Sequence, residues 1–206
     1  SQNNNTQLKL EDKNYSKLNE KVTLVDTMLN PFTKSLIFKK DECKSTNYKD
    51  RFNCILNTFP NQNLPLHFGP HPEIESTPYI SDTAFVENSL LDKDYFKNED
   101  FTHGYYKGVI IANNLKIKTV IIPTIYNVGK DYTLYTFTDD GKLIDKLIIG
   151  TESSDYESKF GVIESFDKIK ITTKIIGYKS NSKLYFYSSS KTEYFKVSQS
   201  GKILKK

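Results

Sequence analysis

The residues whose types could do chemistry gather in one loop. His67-Phe68-Gly69-Pro70-His71-Pro72-Glu73 brings two imidazoles and a carboxylate together. Imidazole nitrogen and carboxylate oxygen are zinc ligands, and a bound zinc with an open position activates water for hydrolysis. His67, His71 and Glu73 are therefore the candidate metal ligands, with His103 as a remote partner. The prolines stiffen the loop but do not set both rings on one helical face, as the metalloprotease helix motif does. Surface or half-packed histidines in a Pro-rich loop are the competing reading.

Other polar groups say less. Glu152, Asp155 and Glu157 offer oxygen ligands for calcium, but without the spaced Asp/Asn pattern and central Gly of an EF-hand loop. Asp139-Asp140 precedes Gly141, where Asp serves local turn hydrogen bonding. Ser-x-x-Lys occurs at Ser165–Lys168, Ser180–Lys183 and Ser188–Lys191, as a chain rich in both residues produces by chance. The companion motifs of penicillin-binding enzymes are absent from the sequence, as are a nucleophile elbow, a phosphate-binding loop and a dinucleotide fingerprint. The sequence identifies no catalytic residue, and no cofactor is expected.

Cys43 and Cys54 are the two cysteines of the chain. A pair so close in sequence fits a disulfide in an oxidising compartment, which constrains the unfolded chain by about 3 kcal/mol in the loop-entropy model. Two reduced, buried thiols are the alternative, and a Cys–His nucleophile is a weaker one.

Composition bounds the function. The net charge is +4, and of 29 basic residues only Arg51 is an arginine. Base edges and phosphates are read best by the planar guanidinium, so a nucleic-acid partner is not expected. Fourteen Tyr and thirteen Phe with no Trp point to a β-rich core, because these rings suit a pleated, half-buried surface. Tyr105, Tyr106, Tyr132, Tyr135, Tyr185 and Tyr187, with Phe186 and Tyr194, form a candidate binding face. Core packing and cross-strand pairing are the simpler use of the same rings.

These residues need elements to hold them. Residues 1–20 are polar and read as a flexible tether. Residues 21–103 read as a mixed α/β segment, with candidate strands over 21–26 and 35–40. Phe52, Ile55, Leu56 and Phe59 recur at helical spacing, and Pro60 ends that helix. Ser81 reads as the N-cap of a second short helix, with Ala84, Phe85, Leu90 and Leu91 on its apolar side. The Pro-rich stretch 61–79 between them is expected to run extended with few ladder bonds.

Residues 104–206 carry eight β-branched or aromatic runs separated by turn chemistry such as Asn113-Asn114 and Asp139-Asp140-Gly141. The runs are 105–111, 115–126, 132–138, 143–150, 160–166, 169–178, 183–187 and 192–197. Short connections imply antiparallel neighbours, hence a meander of about eight strands. Ile169, Ile171 and Ile175 alternate with Lys168, Lys170 and Lys174, so one face is dry and the other wet. The expected fold class is α+β and β-dominated: an antiparallel meander, open and curled or closed into a small barrel. A mixed segment with two short helices precedes it and folds with it as one unit. Gly141-Lys142-Leu143 behind Tyr135, and Gly201-Lys202-Ile203 behind Phe195, form a weak internal echo. Shared hairpin chemistry or duplication would each produce it.

Phe59-Pro60 with Leu64-Pro65-Leu66, the run Leu134-Tyr135-Thr136-Phe137 with Gly141-Lys142-Leu143-Ile144-Asp145, and Tyr194-Phe195-Lys196-Val197 with Gly201-Lys202-Ile203 resemble uncharacterised exported proteins and lipoproteins of Bacteroidota. The resemblance covers about three-quarters of the chain and carries over no catalytic residue. It implies the periplasm, outer membrane or cell surface of a Gram-negative bacterium. The polar start Ser1-Gln2-Asn3-Asn4-Asn5-Thr6-Gln7 would follow a lipidated Cys, or it is a boundary without meaning. Contact with the membrane would run only through that anchor. The expected function is a non-enzymatic, exported domain that recognises a protein partner or supports envelope assembly. The alternatives are a carrier or sensor holding an apolar ligand inside the curled sheet, and a metal-dependent hydrolase using His67 and His71.

Overall fold

Helix α1, Tyr48–Leu56, buries Phe52, Ile55 and Leu56 along one side. Asn47 caps it, its side chain accepting from the Asp50 N–H. Helix α2, Thr83–Asn88, buries Phe85 and Val86. Its cap is Asp82, one residue beyond the expected Ser81, with the Asp82 carboxylate accepting from the Phe85 N–H at 2.9 Å. Arg51 donates to that same carboxylate at 2.6 Å, so the chain's one arginine ties α1 to the start of α2. These elements belong to a computed structural model that describes residues 43–69, 78–93, 103–113, 116–127, 129–153, 157–178 and 185–206. The expected tether over 1–20 and the candidate strands over 21–26 and 35–40 lie outside the described residues.

The rest is a ten-stranded antiparallel sheet that does not close. Its strands are β1 Leu66–Phe68, β2 His103–Tyr105, β3 Val109–Asn113, β4 Ile117–Tyr126, β5 Gly129–Thr138, β6 Leu143–Ser153, β7 Glu157–Ser165, β8 Lys168–Tyr178, β9 Tyr185–Val197 and β10 Ile203–Lys205. From β4 to β10 each strand pairs with its predecessor, the meander that the short connections require.

Three local readings change. The run over 105–111 is two strands, because its neighbour β4 carries Pro123. The Pro123 carbonyl accepts from the Tyr106 N–H, so its missing N–H faces the same edge. There β2 pairs with Thr124 to Tyr126, while β3 pairs with Lys118 to Ile121. A proline is tolerated in a central strand only at such a break. Between the two strands, Gly108 crosses so close to β4 that an added Cβ would stand 1.7 Å from the Ile121 carbonyl oxygen. Next, the described part of the run over 183–187 joins the run over 192–197 in one strand, β9, whose serines pair with β8 as readily as its aromatics. Last, the few ladder bonds expected of the Pro-rich stretch include a short strand the sequence did not mark, since β1 pairs with β7.

The sheet folds over at β6 and β7, whose register is the single pair Thr151 with Lys159. Beyond it β1 takes the place of β6, with Phe68 opposite Gly161 and Leu66 opposite Ile163. Gly161 permits the crossing, since a Cβ there would meet the Ile149 carbonyl oxygen at 2.2 Å. The fold-over encloses an inner core of Leu66, Phe68, Val109, Ile121, Tyr132, Leu134, Ile149, Ile163, Ile169 and Ile171. Thr136 closes one end by donating to the Gly201 carbonyl at 2.7 Å. The outward face of β4 and β5 is dry as well. Val120, Ile122, Tyr135 and Phe137 pack with Phe52, Phe59, Phe85 and Ile80 in a second core. One-sided wetness therefore holds for β8 at Ile169 and Ile171, fails at Ile175, which is 43% exposed, and fails for β4 and β5.

Cys43 and Cys54 form a disulfide, which pins the chain ahead of α1 to the helix. The echo at Gly141 and Gly201 is one turn used twice. Thr138 and Ser198 bond backbone to backbone with Lys142 and Lys202, and each side-chain hydroxyl accepts the same lysine's N–H at 3.0 Å. Both glycines take positive φ, 86° and 83°.

Phe52 lies at the centre of the outer core, stacked on Phe85 at 5.7 Å and edge-on to Phe137 at 5.4 Å. Phe52→Ala is expected to cost about 3–5 kcal/mol. Gly108→Ala, which adds a single methyl, is expected to cost as much as an overpacked core, about 1–3 kcal/mol or more. Urea unfolding followed by circular dichroism measures both.

Candidate functional site

Beside the helices, the outward face of the sheet becomes polar. The β2–β4 pairing puts His103 opposite Tyr126 and Tyr105 opposite Thr124, all on that face. The His103 ring stands edge-on to Tyr105 at 5.3 Å and lies 5.6 Å from Tyr126. Asp92 reaches this group from the end of α2. Its Oδ2 lies 2.8 Å from His103 Nε2 and accepts the Tyr105 hydroxyl at 3.1 Å. Across the β4–β5 hairpin, the Tyr126 hydroxyl bonds to Asp131.

Strained backbone delivers Asp92. The apolar stretch Leu90-Leu91 does not continue the helix, which ends at Asn88. Leu90 is buried, whereas Leu91 takes φ 61° and is 57% exposed. A non-glycine residue in the left-handed region costs about 1–2 kcal/mol. It turns the chain so that the Asp92 N–H bonds to the Val86 carbonyl at 3.2 Å while its carboxylate meets His103 and Tyr105. Strain of this kind concentrates at functional positions.

Two cavities flank Tyr126. One, of about 490 Å³, is lined by Tyr79, Ser81, His103, Gly104, Tyr106 and Tyr126 among others. The Tyr79 and Tyr106 rings meet edge to face at 5.4 Å in its wall. The other, of about 440 Å³, is lined by Tyr105, Thr124, Thr133, Tyr135, Lys146 and Lys159 among others. Burial is the main cause raising the phenol pKa of Tyr79, Tyr105, Tyr126 and Tyr135 above the ordinary 10, and nearby carboxylates add to it at Tyr105, Tyr126 and Tyr135. These hydroxyls stay neutral at physiological pH and offer hydrogen bonds along a ring-lined cleft.

The sequence-stated candidates divide. Tyr105, Tyr106 and Tyr135 border the cleft. Tyr132 does not: it is fully buried in the inner core against Phe68, because its strand position points inward. Tyr185 and Tyr187 lie on β9, with side chains outside the described set, as is that of Phe186. Tyr194 is 45% exposed on the far side of the fold. His71 and Glu73 lie outside the described residues. His67 lies on β1 opposite Val162, on the other outward face of the folded-over sheet from His103. Among the described residues no group of three His, Cys, Asp or Glu is placed to hold a metal. Asp155 is outside the described residues, and Glu157 pairs with Lys159 at 3.1 Å. Asp139 pairs with Lys49, and Asp140 with Thr138 and Lys142.

Sequence reasoning passed over Asp92, Tyr79 and Tyr126. The one signal for Tyr126 is its place at the end of a long apolar strand, where a buried ring is not required. The chain matches no family model, no curated protein and no solved structure.

Leu91→Gly is expected to raise stability by about 0.5–1 kcal/mol, since glycine adopts positive φ without steric cost. Thermal unfolding of the variant tests this. The raised phenol values fix an alkaline limit as well. The unfolded chain releases these protons near 10 and the folded chain only above it. Their contribution is whole below 10 and is lost as pH rises towards the folded values. Spectrophotometric titration should show this group ionising only together with unfolding.

Proposed function

We propose that this is an exported, non-enzymatic domain that recognises a protein partner through the tyrosine cleft beside α2. The observation that carries the reading is the exposure of Tyr79, at 37%, and Tyr126, at 41%, on either side of the cavity that His103 and Tyr106 line. Tyrosine supplies large, rigid contact area with a hydrogen-bonding tip, at little entropic cost, and is enriched at recognition surfaces. The Asp92 bonds hold His103 and Tyr105 in place before any partner arrives, which lowers the ordering cost of binding.

The disulfide supports export, because such bonds persist in oxidising compartments. Placement in the periplasm, outer membrane or at the surface of a Gram-negative cell, held by a lipidated N-terminus, belongs to the same proposal. The carrier reading has less support. It needs an empty sheet interior, and the described interior is packed with side chains from both halves. The hydrolase reading lacks a described ligand set beyond His67.

Capture from envelope extracts, with immobilised native protein and a Tyr79→Ala/Tyr126→Ala variant side by side, tests the proposal. A partner retained by the native protein should fall at least tenfold in the variant, since each recognition-centre ring contributes on the order of 1–2 kcal/mol. Equal retention by both proteins, or no specific retention by either, would remove the cleft from consideration.

A further inference from the structure

The far outward face of the sheet, formed by β7 to β10, has a different character from the cleft. Its rows follow from the pairing: Val162, Lys170 and Tyr194 lie side by side, as do Phe160, Thr172 and Thr192, and then Ser158, Lys174 and Ser190. Lys168 and Lys196 stand one step outside the Ile169–Phe195 pair, at neighbouring positions of adjacent strands. Neither core cluster includes any of these side chains. Among the described residues, four lysines thus share one face with a single strand carboxylate, Glu164, which is engaged by Lys168 at 2.5 Å; Asp167 lies at the adjoining turn. The Lys174 ammonium sits 4.6 Å over the Phe160 ring. Tyr194 and Leu204 stand among the lysines at 45% and 43% exposure.

Like charges at neighbouring sheet positions destabilise each other. A face that gathers them is relieved by an external anion. The choice of cation then limits what that anion is. With no arginine there is no planar fork for bidentate reading of a fixed phosphate or carboxylate. Lysines are flexible point charges that suit many mobile anions, and a tyrosine and a leucine among them suit a headgroup boundary rather than open water. We propose that this face rests on an anionic phospholipid surface, with Lys168, Lys170, Lys174 and Lys196 over the headgroups and Tyr194 and Leu204 at their level. The inference does not depend on the tyrosine cleft, which lies on the opposite side and would face away from the bilayer.

Vesicle sedimentation tests it, with the full chain free of any lipid anchor. Vesicles holding roughly one-third phosphatidylglycerol should bind the protein, at about fivefold per lysine, and pure phosphatidylcholine vesicles should not. Lys170→Gln with Lys196→Gln should weaken binding about 25-fold, and raised salt should weaken the native protein alike. Tyr194→Ser with Leu204→Ser should weaken it independently of salt. Far-UV circular dichroism checks that each variant is folded. Equal binding to neutral vesicles, no binding to anionic ones, or native-like binding by the lysine variant overturns the proposal. So does polyglutamate binding as tightly as the vesicles without need of Tyr194 and Leu204, which would assign the face to an acidic protein.

Discussion

The structure depends on β4 and β5 being dry on both sides. Val120, Ile122, Tyr135 and Phe137 face the helices, while Ile121, Tyr132 and Leu134 face the folded-over half of the sheet. Burying one such side chain contributes about 1.5–3 kcal/mol, so this hairpin concentrates a large share of the apolar driving force in a few residues. It also fixes the register. A slip of one position would exchange the two inventories, setting the aromatic pair Tyr135 and Phe137 into a space shaped by Leu134 and Ile121. The helices are held by this hairpin more than by each other. Their mutual links are the Phe52–Phe85 stack, Arg51 with Asp82, and Ser89, which accepts from Tyr48 and donates to the Gly141 carbonyl of the β5–β6 turn.

Two-sided burial requires the sheet to fold back on itself, and the means are local. β6 departs from β7 after one pair, β1 fills the edge it leaves, and the missing side chain of Gly161 makes room for the Ile149 carbonyl. At the other end the β9–β10 turn returns to β5 and β6. Thr136 donates to the Gly201 carbonyl, and the Ile203 N–H donates to Asp145 at 3.0 Å. The sheet stays open because these ties join a turn to a strand face rather than edge to edge. Barrel closure would need a continuous ladder between β10 and the β2–β3 edge, and no such ladder is found among the described residues.

The sequence disclosed what is periodic or short-range. The lysine–isoleucine alternation of β8 states which face is dry, and the helical spacing of Phe52, Ile55 and Leu56 marks α1. Gly141 and Gly201 mark their turns through a backbone conformation that other residues avoid. What stayed hidden depends on distant neighbours. β1 is three residues long and set among prolines, so no pattern distinguishes it from a connection; it is a strand because β7 has an open edge there. Pro123 inside a strongly apolar run carried the clue to the β2–β3 break, but its meaning depends on which way its carbonyl points. The outer side of β4 and β5 reads as aromatic and β-branched, as a solvated strand face often does; only the helices make it core. The cleft was half legible for the same reason. Tyr105 and Tyr106 advertise a ring-rich strand, whereas Asp92 joins them through the left-handed turn at Leu91, which local sequence preference argues against.

Placing the polar network at the edge of the outer core follows from the same constraint. The helices cover only part of the β4–β5 face, so the sheet runs out from under them with aromatic positions still in phase. Tyr135 is buried on one side of that boundary and Tyr126 is 41% exposed on the other. A carboxylate at the boundary is well placed to order such rings. It lies close enough to the core for its hydrogen bonds to be stronger than in open water. Asp92 does this for His103 and Tyr105, and Asp131 for Tyr126. The cleft is thus rigid where it meets the core and exposed where it meets solvent. The lysine face is built differently: beneath it lie Ile163, Ile169 and Ile171 with Phe195, Val197 and Ile203, all apolar. A surface ordered by half-buried carboxylates favours a partner of fixed shape, and one of flexible ammonium groups favours a partner that can rearrange. The two sides of this fold therefore differ in kind as well as in position.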